Sequence, residues 1–160
     1  MSESERPASP RVFVLPVRVF YGDTDQMGVV YYANYLRFFE MARNEYMRAA
    51  GCTYARLEAE GVILPVTEVG CRYLRPARYD DLLKLEAWIE ELGRVRVRFA
   101  YRVLRDGETE PLATGFTVHA SVTTRGTMRR LPPTLLRALE AFELGDGPPK
   151  TSRGSKRPPG

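Results

Sequence analysis

The chain is organised around the segment YGDTDQMGVVYYANYLRFFEMARNEYMRAAG, which runs from Tyr21 to Gly51. Its first half is rich in turn-forming residues and carries two acids, Asp23 and Asp25. Its second half is the longest helix-like run in the sequence. The spacing predicts a long helix that begins near Asn34 and ends at Gly51.

The helical half of this segment has an apolar stripe along one face. The residues that recur at helical spacing on that face are Tyr35, Phe38, Phe39, Ala42, Tyr46 and Ala49. The opposite face is polar and carries Arg37, Asn44 and Arg48. We expect Asn34 to cap the helix, because its short side chain can accept a hydrogen bond from a free backbone N–H.

The two carboxylates, Asp23 and Asp25, come just before the predicted helix start. Free backbone N–H groups and the helix dipole favour negative charge at that place. A nucleophile or base beside such donors provides half of an acyl-transfer site. The residues alone leave an alternative open, in which both acids only shape the turn and help to cap the helix.

Length and composition indicate one domain with its own core. The chain has 160 residues, of which 44% are hydrophobic. No apolar run approaches a membrane helix in length, and the polar first residues lack a signal core, so we expect a cytoplasmic protein. Cys52 and Cys71 match no metal spacing and are expected to be free thiols. The single histidine, His119, excludes a multi-histidine metal site, and we expect no metal and no cofactor.

The net charge of +4 arises in the C-terminal tail. Lys150, Arg153, Lys156 and Arg157 all follow the last acid, Asp146, and without them basic and acidic residues balance at 20 each. A nucleic-acid-binding domain would carry its positive charge on the fold, so we expect no nucleic-acid partner.

The periodicity divides the chain into three parts. We expect residues 1–10 to be disordered, residues 11–145 to form a single domain, and residues 146–160 to be a disordered basic tail. Alternating patterns predict strands at 11–20, 64–74, 82–92, 94–105 and 112–124, and short helices at 52–60 and 135–144. This order predicts an α+β fold in which an antiparallel sheet wraps around one long central helix.

One sheet on one helix leaves the other sheet face open. We expect Trp88 and the alternating arginines between 94 and 102 at or near that face, and we interpret it as an oligomer interface. The alternative is a solvated face with one exposed tryptophan, since isolated exposed apolar residues are common.

Two blocks of the sequence resemble a known family. The matching residues of the first are Asp23, Asp25, Gly28, Val30, Tyr31, Tyr32, Asn34, Tyr35, Glu40 and Arg43, and the second is Tyr-Leu-Arg-Pro-Ala-Arg-Tyr-Asp-Asp-Leu at 73–82. Together they resemble the 4-hydroxybenzoyl-CoA thioesterase family of hotdog-fold proteins, which includes the acyl-CoA thioesterases of the Tol-Pal gene cluster. The resemblance spans about residues 17–131.

The resemblance implies a hotdog fold and a set of roles. Asp25 takes the place of the family's nucleophile or general base, and the backbone N–H of Tyr32 takes the place of the donor that polarises the thioester carbonyl. Glu40 occupies a position that contacts the acyl group in the 4-hydroxybenzoyl enzyme. Gly28 and Val30 are expected in the substrate-binding part of the same site.

Alternatives remain for two of these roles, and one residue departs from part of the family. Tyr32 can simply pack, and Glu40 can simply pair with Arg43 at helical i, i+3 spacing. The Tol-Pal-cluster proteins carry a histidine where this chain has Tyr32, so a mechanism that needs that histidine is excluded. The second block is interpreted as a turn and a strand start.

The resulting prediction is an acyl-CoA thioesterase for a small, medium or aromatic acyl group. It is expected to be at least a dimer and, by resemblance, a homotetramer. The alternative is a non-catalytic hotdog module that binds acyl-CoA or an acyl carrier. A GxSxG elbow is absent, which excludes an α/β-hydrolase thioesterase. Candidate ligands for the CoA phosphates are Arg72, Arg75, Arg78, Arg125, Arg129 and Arg130.

Overall fold

The computed structural model describes residues 9–145. The predictions for the first eight residues and for the tail from 146 onwards fall outside them. In chain order the elements are β1 (Phe13–Arg18), α1 (Asn34–Ala49), α2 (Tyr54–Ala59), β2 (Val62–Ile63), β3 (Val66–Tyr73), β4 (Leu82–Leu92), β5 (Arg96–Arg105), β6 (Ala113–Ala120), β7 (Val122–Thr123) and α3 (Pro133–Glu143).

Five strands form one antiparallel sheet in the order β1-β4-β5-β6-β3. The β5–β6 connection turns at Gly107, whose φ of 80° is natural for glycine after Asp106. Strand β3, which follows the helices in sequence, lies at the sheet edge beside β6. The sheet wraps one long helix, which confirms the α+β hotdog fold expected from the resemblance.

The predicted strand at 112–124 is in fact two strands. At Ser121 the backbone N–H donates to the carbonyl of Val95 at 2.8 Å, and the carbonyl accepts from Arg129 N–H at 2.9 Å. These bonds separate β6 from β7, and β7 pairs with β2 in a small second sheet. The single-strand prediction was wrong because both halves are apolar and the break depends on distant backbone partners.

The apolar stripe of α1 packs on the inner face of the main sheet. Phe39 stacks on Tyr101 with ring centroids 4.5 Å apart, and Tyr46 meets Phe99 edge-on at 5.5 Å. From α3, Phe142 also meets Tyr46 edge-on, with ring centroids 4.8 Å apart. Each such buried aromatic ring contributes roughly 1.5–3 kcal/mol. Within residues 9–145, no helix is long and apolar enough to cross a membrane.

The outer face of the sheet carries Trp88, as predicted, but its own side chains cover it. The guanidinium group of Arg102 lies 5.3 Å from the Trp88 ring, and that of Arg98 lies 3.9 Å from the Phe116 ring. Both arginines also donate to a glutamate of β4 at 2.7 Å. Trp88 is therefore only half-exposed.

Candidate active site

The loop between β1 and α1 is held from inside by Asp23, which is only 7% exposed. The backbone N–H of Phe20 donates to its Oδ2 at 2.8 Å, and Arg37 of α1 donates to its Oδ1. Arg37 also makes the ion pair that neutralises this carboxylate. Both oxygens of Asp23 are thus engaged in holding the loop.

The carbonyl of Asp23 joins the loop to the helix start. It accepts the backbone N–H of Tyr31 and the side-chain amide of Asn34, both at 2.9 Å. The prediction that Asn34 caps the helix was wrong. Asn34 is the first helical residue, the cap position belongs to Ala33 with φ −69° and ψ −22°, and no side chain caps it. Asn34 uses its amide as a donor to the loop instead.

Asp25 differs from Asp23 in its partners. The backbone N–H of Met27 donates to Oδ1 of Asp25 at 2.9 Å. Across the turn, the N–H of Asp25 donates to the carbonyl of Val29, and the carbonyl of Asp25 accepts from the N–H of Gly28, both at 2.9 Å. Gly28 has a φ of 75°, which suits this tight turn. Within the described chain, no group bonds to Oδ2 of Asp25 and no cation pairs with the carboxylate.

The helix start beside this loop offers free backbone donors. A turn closed by the bond from Asn34 N–H to the carbonyl of Tyr31, at 2.9 Å, leads into α1. Among residues 9–145, neither the N–H of Tyr32 nor that of Ala33 has an acceptor. The first N–H groups of a helix point outward at its positive end. An acid and free donors therefore flank the same short loop.

Four aromatic residues, which we call the tyrosine cluster, surround this helix start: Tyr31, Tyr32, Tyr35 and Tyr73. Tyr32 is 62% exposed and lies 4.8 Å from Tyr31 and 6.4 Å from Tyr73, measured between ring centroids. Among the described residues, its ring contacts are therefore with other tyrosines of the cluster and not with the core. The neighbouring Tyr32 hydroxyl raises the pKa of Tyr31, and the charge of Asp25 adds to the rise.

The remaining candidate residues differ in their exposure to solvent. Gly28 and Glu40 are exposed, whereas the side chain of Val30 lies in the core and its N–H donates to the carbonyl of Ala77 at 2.8 Å. The alternative pairing of Glu40 with Arg43 was wrong. Arg43 is buried and donates to the hydroxyls of two tyrosines instead.

Sequence reasoning missed the buried polar network that begins at Arg43. The guanidinium group donates to Tyr54 at 3.0 Å and to Tyr101 at 3.2 Å. The Tyr101 hydroxyl lies 2.6 Å from that of Thr117, which lies 2.9 Å from Nε2 of His119. Burial lowers the pKa of His119 to about 4, so the ring is neutral near pH 7. The sequence contains one sign of this network, because Arg43 lies at the border of the apolar stripe of α1.

The candidate phosphate ligands also divide into two groups. Arg75 donates to Glu108 at 3.1 Å, and Arg129 donates to the carbonyl of Glu60 at 3.2 Å. The other four are exposed and make no side-chain bond to any described residue: Arg72, Arg78, Arg125 and Arg130. A cavity of about 190 Å³ lies elsewhere, between α2 and α3, and no candidate site residue lines it. No cluster of potential metal ligands occurs within residues 9–145.

The chain is similar in sequence to proteins of a known family. Residues 27–112 match the model of the thioesterase superfamily, a range that contains Tyr32 and Glu40 and begins two residues after Asp25. An acyl-CoA thioesterase of Haemophilus influenzae, YbgC, is 41% identical over 95 residues, which cover 59% of this chain and 70% of that protein.

Solved structures agree with this match over a longer span. A hypothetical protein from Thermus thermophilus is 37% identical with a TM-score of 0.76, over 82% of this chain and 97% of that one. A DHNA-CoA thioesterase from Staphylococcus aureus is 28% identical with a TM-score of 0.77, over 83% of this chain and 91% of that one. The fold of the whole domain is therefore shared with these proteins.

Proposed function

The chain belongs to the thioesterase superfamily and is a thioester hydrolase, and we propose that it cleaves a small, medium or aromatic acyl-CoA to the free acid and CoA. Asp25 is the nucleophile or general base of this proposal, and the backbone N–H of Tyr32 binds the carbonyl oxygen. The observation that carries it is the position of an Asp25 carboxylate with one free oxygen beside a helix start with free N–H groups.

Two reaction routes use this arrangement. As a general base, Asp25 takes a proton from water while the water oxygen attacks the carbonyl carbon. The oxygen that gains negative charge is bound by the N–H of Tyr32, the C–S bond then breaks, and the CoA sulfur takes up a proton. As a nucleophile, Asp25 itself displaces the CoA sulfur to form a mixed anhydride, which water then hydrolyses.

An oxygen atom from water can identify the nucleophilic route, provided that water attacks the aspartyl carbonyl of the anhydride. In a single turnover in ¹⁸O-water, the general-base route places ¹⁸O only in the released acid. Attack of water on the aspartyl carbonyl of an anhydride would place ¹⁸O in Asp25, which mass spectrometry of the peptide that contains it can detect.

The substrate contacts follow from exposure and charge. Glu40 and Gly28 are proposed to contact the acyl part, which their exposure allows, whereas the buried Val30 would contribute through the position of its backbone. Coenzyme A carries several phosphate groups, for which the forked donors of arginine are suited. The four exposed arginines without side-chain partners, at 72, 78, 125 and 130, are the candidates to bind them.

The test is a hydrolysis assay on the purified chain. Short, long and aromatic acyl-CoAs are incubated with the protein, and a thiol reagent detects free CoA. We expect release from at least one substrate without added metal or nucleotide. Tight binding of acyl-CoA in calorimetry without any release would overturn the proposal and support a non-catalytic acyl-binding module.

We further propose that the protein works in the cytoplasm as an oligomer. Both cysteines are free thiols in the structure, which suits a reducing compartment. The site is open in one subunit, since Tyr32 and Glu40 are exposed. A second subunit would supply the missing wall. A dimer at least is expected, with a homotetramer as the form implied by the resemblance.

A further inference from the structure

The two peptide groups that precede α1 are each held at their carbonyl end. The Tyr31–Tyr32 peptide has its carbonyl bonded by Asn34 N–H at 2.9 Å, and its own N–H, that of Tyr32, is free. The Tyr32–Ala33 peptide has its carbonyl bonded by the Tyr73 hydroxyl at 2.8 Å. Its N–H, that of Ala33, is also free. The two free donors are consecutive and lie at the same helix end.

Tyr73 reaches this peptide from a different element. It is the last residue of β3, and its ring meets the rings of Tyr32 and Tyr35 edge-on at 6.4 and 5.2 Å. These contacts fix the ring on two sides and aim its hydroxyl at the carbonyl of Tyr32. Partial burial raises the pKa of Tyr73 to about 12, with Cys71 contributing, so the hydroxyl keeps its proton over the range in which thioesterases are assayed.

A hydrogen bond at one end of a peptide group affects its other end. The peptide is planar and conjugated, so a donor at the carbonyl oxygen draws electron density away from the nitrogen. Chains of hydrogen bonds strengthen one another in this way. The bond from Tyr73 therefore fixes the direction of the Ala33 N–H and makes that N–H a stronger donor. The one other bond to this carbonyl, from Tyr35 N–H, is long at 3.4 Å.

We propose that Tyr73 is a positioning residue for thioester hydrolysis, which holds the Tyr32–Ala33 peptide so that the N–H of Ala33 joins that of Tyr32 in binding the carbonyl oxygen. This inference rests on the proposed function. Two donors can satisfy both lone pairs of the oxygen as it gains negative charge. The strand that ends at Tyr73 thus contributes to the site without touching the substrate.

The kinetic test compares Tyr73→Phe with wild type. The variant keeps the ring and removes only the hydroxyl. We expect kcat to fall by about tenfold, less than the roughly 10²–10³-fold cost of removing a direct oxyanion donor. KM and the melting temperature are expected to stay unchanged. Tyr79→Phe is the matched control, because Tyr79 is exposed and its one aromatic contact within residues 9–145 is with Tyr21.

A spectroscopic test does not depend on turnover. The probe is an acyl-CoA analogue with CH₂ in place of sulfur and ¹³C at the carbonyl, bound to each protein and observed by isotope-edited infrared spectroscopy. Donors to the carbonyl oxygen lower its stretching frequency, so we expect a lower frequency in wild type than in Tyr73→Phe. Incorporation of 3-fluorotyrosine at position 73, which makes the hydroxyl a stronger donor, should lower it further. This substitution also covers the case in which Tyr73→Phe fails to fold.

The outcomes separate the two proposals. Equal kcat and equal carbonyl frequency in wild type and Tyr73→Phe would overturn the role of Tyr73 while hydrolysis itself stands. A rise in KM at constant kcat would also overturn it, since that result indicates uniform binding. If no acyl-CoA is hydrolysed, the proposed function fails, and the frequency difference on the bound analogue still supports or overturns the positioning by Tyr73.

Discussion

Asp23 and Asp25 are separated by one residue, and yet their surroundings are opposite. Asp23 is buried, both its oxygens accept hydrogen bonds, and Arg37 neutralises it. Asp25 is half-exposed and offers one free oxygen. Spacing could not separate the two acids, because either can lie in a turn before a helix. The distinction arises from contacts with Phe20 and α1, which only the folded loop brings together.

The first prediction compares Asp25→Asn with Asp23→Asn. Asp25→Asn keeps the shape and removes the charge, so we expect kcat to fall by roughly 10²–10⁴-fold, as for loss of a positioned acid–base group. Its stability should be unchanged. Asp23→Asn removes the charge of a buried carboxylate that pairs with the half-exposed Arg37, so it should lower the free energy of unfolding by about 1–3 kcal/mol and reduce kcat less.

Steady-state kinetics and urea unfolding of the two variants and wild type measure both effects. A larger loss of kcat in Asp23→Asn than in Asp25→Asn would contradict the assignment. So would full activity of Asp25→Asn.

The buried network at His119 shows a second limit of sequence reasoning. His119 falls within the strand predicted at 112–124, and in the structure it lies in β6, 1% exposed, with Nδ1 3.0 Å from the carbonyl of Leu64. Its connection through Thr117 and Tyr101 to Arg43 joins three elements. No local pattern predicts such a long-range contact.

The second prediction concerns the pH dependence of stability. The pKa of His119 is lowered to about 4 by burial, against about 6.5 in the unfolded chain. Between those values the unfolded chain binds more protons, so stability rises with pH there. The free energy of unfolding therefore falls by up to about 3 kcal/mol as pH falls from about 6.5 to 4.

His119→Gln removes this titration and should flatten the curve. His119 is the single histidine of the chain, so no other imidazole titrates in this range. The carboxyl groups are the same in wild type and variant, and their contribution to the pH dependence cancels in the comparison. Urea unfolding at several pH values between 4 and 7.5 measures the effect. Parallel curves for wild type and His119→Gln would show that this histidine does not cause the loss.

At the scale of the elements, the position of α1 depends on a residue outside it. The apolar stripe predicted the helix and its buried face. The depth at which it packs is determined by Gly115 of β6, where an added Cβ would lie 2.4 Å from Phe39 and 2.6 Å from the carbonyl oxygen of Gly70. The missing side chain lets the Phe39 ring approach the sheet closely.

Strand order is the part of the element pattern that sequence could not provide. The strand predicted at 64–74 and observed as β3 pairs with β6, at a separation of forty residues or more, and not with β1 or β4. Its alternation is compatible with any neighbour in the sheet. The pairing places Tyr73 beside the helix start, so the tyrosine cluster could not be foreseen either.

The third prediction is that Gly115→Ala is strongly destabilising. The methyl group meets a ring on one side and a backbone oxygen on the other, and the backbone cannot move without disturbing the β3–β6 pairing. We expect a loss of about 1–3 kcal/mol in the free energy of unfolding, as for overpacked cores.

Gly22→Ala is the matched control for this prediction. An added Cβ at Gly22 meets nothing within 4 Å, so the change in stability should stay within about 0.5 kcal/mol. Urea unfolding measures both variants. Equal stability of the two would show that Phe39 moves aside without cost.

At the scale of the whole molecule, the outer face of the sheet and its β3 edge differ in how far polar side chains cover their apolar residues. The outer sheet face, interpreted from sequence as an oligomer interface, is covered by arginines that bond to glutamates and lie on Trp88 and Phe116. Six exposed large apolar residues lie instead on β3, directly after it, or at the start of α1: Tyr32, Leu36, Val66, Val69, Tyr73 and Leu74. Unpaired edge strands with apolar side chains favour association.

The last prediction is therefore that the chain assembles through the β3 edge. Val69, in the middle of β3, is 44% exposed on the side of the sheet that faces α1. A second copy of this chain is the expected partner, because β3 ends at Tyr73, whose hydroxyl bonds to the carbonyl of Tyr32, and pairing there would cover Tyr32. A lysine at this position would place a charge on the pairing edge, one of the devices that keep natural edge strands apart.

We expect wild type to be at least a dimer in light scattering at micromolar concentration. Val69→Lys should raise the dissociation constant by tenfold or more, which corresponds to roughly 1.4 kcal/mol, and so shift the protein towards the monomer. Hydrolysis should fall with dissociation and recover at high protein concentration, because the site lacks a wall in the single subunit. The control is Val14→Lys, since Val14 is 45% exposed on β1, the opposite edge of the same sheet. A monomeric wild type would contradict oligomerisation itself, whereas dissociation by Val14→Lys alone would move the interface to the β1 edge.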